Sequence, residues 1–149
     1  TLALRHFTKP RRRLGYTLHD LPKGARAFTL PYRNGNLRGY SWGEGERTVY
    51  LVHGWESLTL LMSKFVGPLL QKGFRVVAFD APGHGHSDTQ DTDVMDFGTA
   101  LAHVIRHMGE AYGIIAHSCG GEATTLMLKN NPDITPANVV FVAPMASLQ

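Results

Sequence analysis

The apolar positions along the chain fall into short runs with two different periods. ARAFTLPY (residues 25–32) and LRGYSWG (37–43) alternate around the turn RNGN, whose Asn34-Gly35 pair tolerates positive φ, and together predict a hairpin. TVYLVHG (48–54) reads as a buried strand from its β-branched and aromatic content. Helical and strand patterns alternate after it. SKFVGPLLQKG (63–73) is helical, stopped by Gly73, with Gly67-Pro68 at a boundary or kink. FRVVAFDAPG (74–83) is a strand. In VMDFGTALAHVIRHMG (94–109), Val94, Phe97, Leu101, Val104, Ile105 and Met108 share one helical stripe, and Asp93 is placed to cap it. YGIIAHS (112–118) predicts a strand, CGGEATTLMLKNN (119–131) a helix ended by Pro132, and NVVFVAP (138–144) a last strand.

Strand–helix–strand alternation implies right-handed crossovers, hence an α/β fold: a mostly parallel, twisted sheet with helices on both faces. Ligands of such sheets bind outside the carboxyl ends of the strands. His53, the segment from Asp80 to His86, and Ser118 all fall there.

Composition narrows the classes. At 149 residues, 43% apolar and 18% charged, the chain has room for one globular core and not two. Residues 1–24 read as a basic, irregular arm and 25–149 as the core. No run approaches the ~20 apolar residues of a membrane-spanning helix. No secretory signal opens the sequence, although its first residue is Thr1 rather than Met. A single cysteine, Cys119, fits a reducing compartment and a cytoplasmic location. The net charge of +3 owes much to Lys9, Arg11, Arg12 and Arg13. No aromatic residues interleave these arginines, so they read as a solvated arm rather than a nucleic-acid surface.

The candidate chemistry centres on AHSCGG (116–121), a strand running into a helix through a glycine-rich turn. A nucleophile at such a turn is held in a strained conformation, with the residues two before and two after it pressed together. Centred on Ser118, those flanks are Ala116 and Gly120, both small; centred on Cys119, the first becomes His117, which is too large. Ser118 is therefore the candidate nucleophile. The backbone N–H of Cys119, rather than its sulfur, faces a developing oxyanion. Alternatively, AHSCGG is a close packing of helix on strand, with Ser118 merely capping the helix.

Three motifs together resemble the α/β-hydrolase family. AHSCGG stands at its Gly-x-Ser-x-Gly elbow, with Ala116 for the first glycine; HGW (53–55) stands at its His-Gly turn after the third strand; DAPGHGHS (80–87) resembles the loop after its fourth. The resemblance covers about residues 25–146. It implies Ser118 as nucleophile, the N–H groups of Trp55 and Cys119 as oxyanion hole, and His53 and Gly54 as loop support. The implied reaction is hydrolysis of a small ester-like substrate, without cofactor or metal.

A serine needs a base, and in this family the order is Ser, then Asp or Glu, then His. Downstream of Ser118 the acids are only Glu122 and Asp133, the latter expected at the wrong end of the sheet, and all eight histidines lie at or before His117. His117 adjoins the serine, with its side chain expected to point into the scaffold. The resemblance makes NVVFVAP the sixth strand, so the fold reads as truncated before the cap and the last two strands. Being apolar on both faces, this strand would leave a sticky edge, to be covered by an oligomer, a partner chain or the remainder of a longer hydrolase.

Two further readings compete. HGHSD (84–88) is similar to the His-x-His-x-Asp-His cluster of metallo-β-lactamase-like hydrolases, but Thr89 stands where the next histidine belongs. Gly83-x-Gly85 lacks the third glycine of a dinucleotide loop, and no Walker-type Gly-Lys-Ser/Thr is present. The rival from another class is a catalytically inactive scaffold or binding module, which the missing base and acid support.

Overall fold

The computed structural model describes residues 9–12, 15–88 and 91–144. Arg13, Thr89 and the final MASLQ lie outside the described residues. One six-stranded sheet organises them: β1 (Arg26–Tyr32), β2 (Gly35–Trp42), β3 (Thr48–Val52), β4 (Arg75–Asp80), β5 (Ala111–His117) and β6 (Asn138–Val142), in the spatial order β1-β2-β4-β3-β5-β6. The β1–β2 and β2–β4 pairs are antiparallel; β4, β3, β5 and β6 run parallel. Three α-helices connect the parallel strands: α1 (Val66–Gln71), α2 (Val94–Met108) and α3 (Cys119–Asn130).

The alternation of side chains along each strand builds two cores. Tyr50 and Val52 of β3 and Val77 and Phe79 of β4 face Phe97, Leu101 and Val104 of α2 and Ala123 and Met127 of α3. Their neighbours Leu51, Val76 and Ala78 face the opposite way, toward Val66 of α1, Leu58, Met62, Trp42 and Tyr16. Helices therefore cover both faces. The stripe predicted on α2 is the buried one, and Asp93 caps that helix through Oδ1, which accepts from the Asp96 N–H at 2.8 Å. Helical structure before α1 begins earlier than the sequence suggests, as a 3-10 segment over Thr59–Phe65; Gly67 and Pro68 then sit in the first turn of α1, where a missing N–H costs nothing.

The hairpin is present with a different turn. Tyr32 pairs with Gly35, so the loop is Arg33-Asn34 alone, and positive φ (53°) falls on Arg33 rather than on the expected Asn34-Gly35 pair. An ion pair from the Arg33 guanidinium to Asp96 Oδ1 at 2.9 Å ties that residue to the start of α2.

β6 lies at the end of the sheet order, with Val140 50% and Phe141 44% exposed, so its apolar side chains are left uncovered among the described residues. Lys9 and Arg11 are exposed, whereas Arg12 is half-buried and Tyr16 and Leu21 are buried against the sheet. No helix among the described residues is long and apolar enough to cross a membrane.

Candidate active site

β5 carries the chain to His117, and α3 starts at Cys119, leaving Ser118 alone at the junction. Ser118 has φ 52° and ψ −125°. A residue with a Cβ occupies that region at a cost of roughly 1–3 kcal/mol. Backbone bonds on both sides hold it there: the Ser118 N–H donates to Val142 O of β6 at 3.0 Å, and the Gly121 N–H donates to Ser118 O at 2.8 Å. The Ser118 side chain makes no capping hydrogen bond to the helix, so the structure does not support the capping alternative. The small flanks follow from close approach. A Cβ on Gly120 would lie 2.8 Å from Val52 O and closer still to His53 O, while Ala116 is fully buried. The first turn of α3 thus presses directly onto the end of β3.

The loop after β3 meets this turn. A Cβ built on Gly54 would lie 3.3 Å from Ser118 Cβ, from His117 O and from His117 Nδ1, so the HGW segment and the 117–120 turn are in van der Waals contact. His117 is half-buried with its ring against Gly54, beside this loop. Cys119 is buried, and burial, then the nearby Glu122 carboxylate, push its thiol up to about 11, with the Trp55 backbone N–H pulling the other way. The thiol is therefore protonated at neutral pH and is no competitor to Ser118 as a nucleophile. Trp55 and Cys119 each follow directly on the Gly54–Ser118 contact.

Two buried histidines fasten the loop. His53 Nε2 receives the Ala81 N–H at 3.0 Å, which leaves the proton on Nδ1, donated to Gly54 O at 2.6 Å. His84 repeats the arrangement: Nε2 receives the Glu56 N–H at 3.0 Å and Nδ1 donates to Pro82 O at 2.9 Å. An imidazole that accepts at one nitrogen is neutral. Burial lowers both basicities, that of His84 to about 4. The two rings pack on each other and on Phe97, and Trp55 meets His84 edge-on. His53 thus joins the loop after β3 to Ala81 at the end of β4 through the Ala81 N–H and Gly54 O. His84 shares that work, which spacing alone does not reveal because its partner Glu56 belongs to another segment.

Asp80 is fully buried and accepts from Tyr16 Oη at 2.5 Å, Thr59 N–H at 2.8 Å and His86 N–H at 2.9 Å, a knot that joins the arm, the helical segment after β3 and the loop after β4. Glu122 is exposed on α3, and Asp133 pairs with Arg106 at 2.9 Å. In HGHSD, His84 is turned to Glu56 and Pro82 while His86 Nε2 bonds Tyr16 O at 2.8 Å. Among the described residues no three His, Cys, Asp or Glu side chains are grouped to hold a metal ion.

Residues 43–149 match the family described as "Serine aminopeptidase, S33", a hydrolase family. The chain belongs to this α/β-hydrolase family. It is 30% identical over 146 residues to a "Serine hydrolase-like protein" of Danio rerio, covering 94% of this chain and 42% of the relative. It thus spans less than half the length of that curated relative. Solved α/β-hydrolase structures share the fold: an esterase of Pyrococcus furiosus (TM-score 0.77, 24% identity, 94% of this chain and 59% of that one) and a thioesterase domain from the curacin biosynthetic pathway (0.76, 23%, 84% and 48%). An epoxide hydrolase of Vigna radiata superposes with a TM-score of 0.73 at 20% identity, over 83% of this chain and 42% of its own. Identities this low speak for the fold alone.

Proposed function

We propose that this α/β-hydrolase domain supplies the nucleophile and oxyanion hole of a serine hydrolase acting on small carboxylic esters, in the cytoplasm. The observation that carries the reading is Ser118 itself, a residue with a Cβ in a costly backbone conformation at a strand-to-helix junction, with no capping bond to explain it. Ser118 Oγ attacks the ester carbonyl carbon, and its proton passes to a base. The carbonyl oxygen becomes an oxyanion held by the N–H groups of Trp55 and Cys119, donors worth roughly 3–4 kcal/mol of barrier when preorganised. The alcohol leaves with the proton, and water releases the acid from the acyl-serine. His53 and His84 are committed to backbone partners on the loop, and no histidine follows Ser118. The base and its carboxylate therefore come from outside the described residues, from a segment that also covers β6.

The second reading is an inactive scaffold or binding module on the same fold. Labelling with a fluorophosphonate, done on the protein with that base-supplying segment present, separates the two, since a serine without its base takes label under neither reading. Modification lost in Ser118→Ala supports the hydrolase; folded protein that takes no label supports the scaffold.

A further inference from the structure

The basic arm crosses the carboxyl-end side of the sheet. Lys9 Nζ is 3.7 Å from Asp91 Oδ1 in the loop after β4, and the Arg11 N–H donates to Glu56 Oε1 at 3.1 Å in the loop after β3. Further along, Tyr16 bonds Asp80 and receives His86 on its carbonyl oxygen. The arm is thus tied to both loops that border the candidate oxyanion hole, and its contact on Glu56 is one residue from Trp55. Within it, Arg12 Nε and Nη2 are buried and have no hydrogen-bond partner. A guanidinium stays charged at any physiological pH, so it cannot escape this position by losing a proton, as a lysine can. Buried donors on a permanent cation without an acceptor are costly, and native proteins pair them. The nearby Glu56 carboxylate already has one oxygen engaged by the Arg11 N–H. Nε and Nη2 lie on one edge of the guanidinium fork, the edge that takes two oxygens of one carboxylate or phosphate side by side.

We propose that Arg12 is the receptor for an anionic group of the substrate, carboxylate or phosphate, making this a hydrolase of negatively charged esters with the arm as one wall of its site. The inference rests on the hydrolase reading for the word substrate, but anion binding is measurable without turnover. In ¹H–¹⁵N spectra of the folded chain, the Arg12 Nε–H resonance is followed during titration with butyrate, with inorganic phosphate and with neutral butyramide. A saturable Arg12 shift with at least one anion, and none with butyramide, is expected. Affinity, read in the variants from the backbone N–H shifts of Arg11 and Glu56, should fall by about tenfold or more in Arg12→Gln, the loss of a charge-assisted bidentate contact, and less in Arg12→Lys. Whichever anion binds more tightly identifies the source. No saturable Arg12 shift with either anion, or equal affinity in Arg12→Gln, overturns the proposal. So does a shift that appears only in Glu56→Gln, which would mean that Glu56 is the permanent partner. With the base-supplying segment present, binding without fluorophosphonate labelling leaves the anion site standing and removes the hydrolase; labelling without binding does the reverse.

Discussion

Replacing Ser118 by glycine should make the protein more stable while removing its candidate nucleophile. At φ 52° and ψ −125°, a Cβ costs roughly 1–3 kcal/mol, a penalty glycine does not incur. Glycine gains freedom in the unfolded chain, which takes back roughly 0.5–1 kcal/mol. The side chain removed makes no capping bond and is only half-buried, so little packing is lost. The net gain is about 0–2.5 kcal/mol, centred near 1 kcal/mol. For a domain of this size each 1 kcal/mol raises the melting temperature by about 2–4 °C. Ser118→Ala keeps the Cβ and the strain, and should stay within about 0.5 kcal/mol of the parent. Urea unfolding followed by circular dichroism, run on all three proteins, isolates the backbone term as the difference between the two variants. If Ser118→Gly is no more stable than Ser118→Ala, the backbone stores no strain there, and the observation that carries the proposed function is gone.

Acidification should loosen the loop after β3. His84 is nearly unprotonatable in the fold, to about 4, and ordinary when unfolded, so the unfolded chain binds the extra proton between about pH 6.5 and 4. Stability therefore falls as pH drops through that window, by about 3 kcal/mol from His84, with His53 acting in the same direction. Urea unfolding at pH 7, 5.5 and 4.5 should show a shallower decline in His84→Gln, and identical slopes would contradict the neutral-staple role. Gly120→Ala should cost about 2–3 kcal/mol or prevent folding, because its Cβ meets the carbonyl oxygens of Val52 and His53 rather than a movable side chain. Thermal unfolding of that variant at or near the parent temperature would mean that α3 does not press on β3.

The parts legible in the sequence are those fixed by neighbours along the chain. The stripe of α2 and its Asp93 cap need only the helical repeat and one side-chain bond three residues away. The small flanks of Ser118 are visible because Ala116 and Gly120 lie two positions from it on either side, and local sterics choose them. The rest depends on partners that arrive from elsewhere. Arg33 takes the positive φ that Asn34-Gly35 advertises while held to Asp96 on α2. His84, inside a segment similar to a metal cluster, becomes an acceptor for Glu56 only when β3 and β4 lie side by side. Arg12 reads as one charge in a solvated arm until that arm is laid across both loops.

The histidines also constrain where a base must enter. Two imidazoles lie within the walls of the candidate site, and each is held neutral with one nitrogen accepting a backbone N–H and the other donating to a carbonyl. Using either as the base would surrender a loop bond and protonate a ring in a place where burial already lowers its basicity. Both sit behind the loop, on the Phe97 side, whereas Ser118 is partly exposed at the strand end. The half-buried His117 has its ring against Gly54. A base for Ser118 must then approach from the open carboxyl-end side, between the arm on the β4 flank and the uncovered β6. An incoming segment that pairs with β6 would lie next to Val142, whose carbonyl already fixes the Ser118 N–H. Strand addition at that edge would then place new side chains beside the nucleophile, so completing the sheet and arming the serine would be one event.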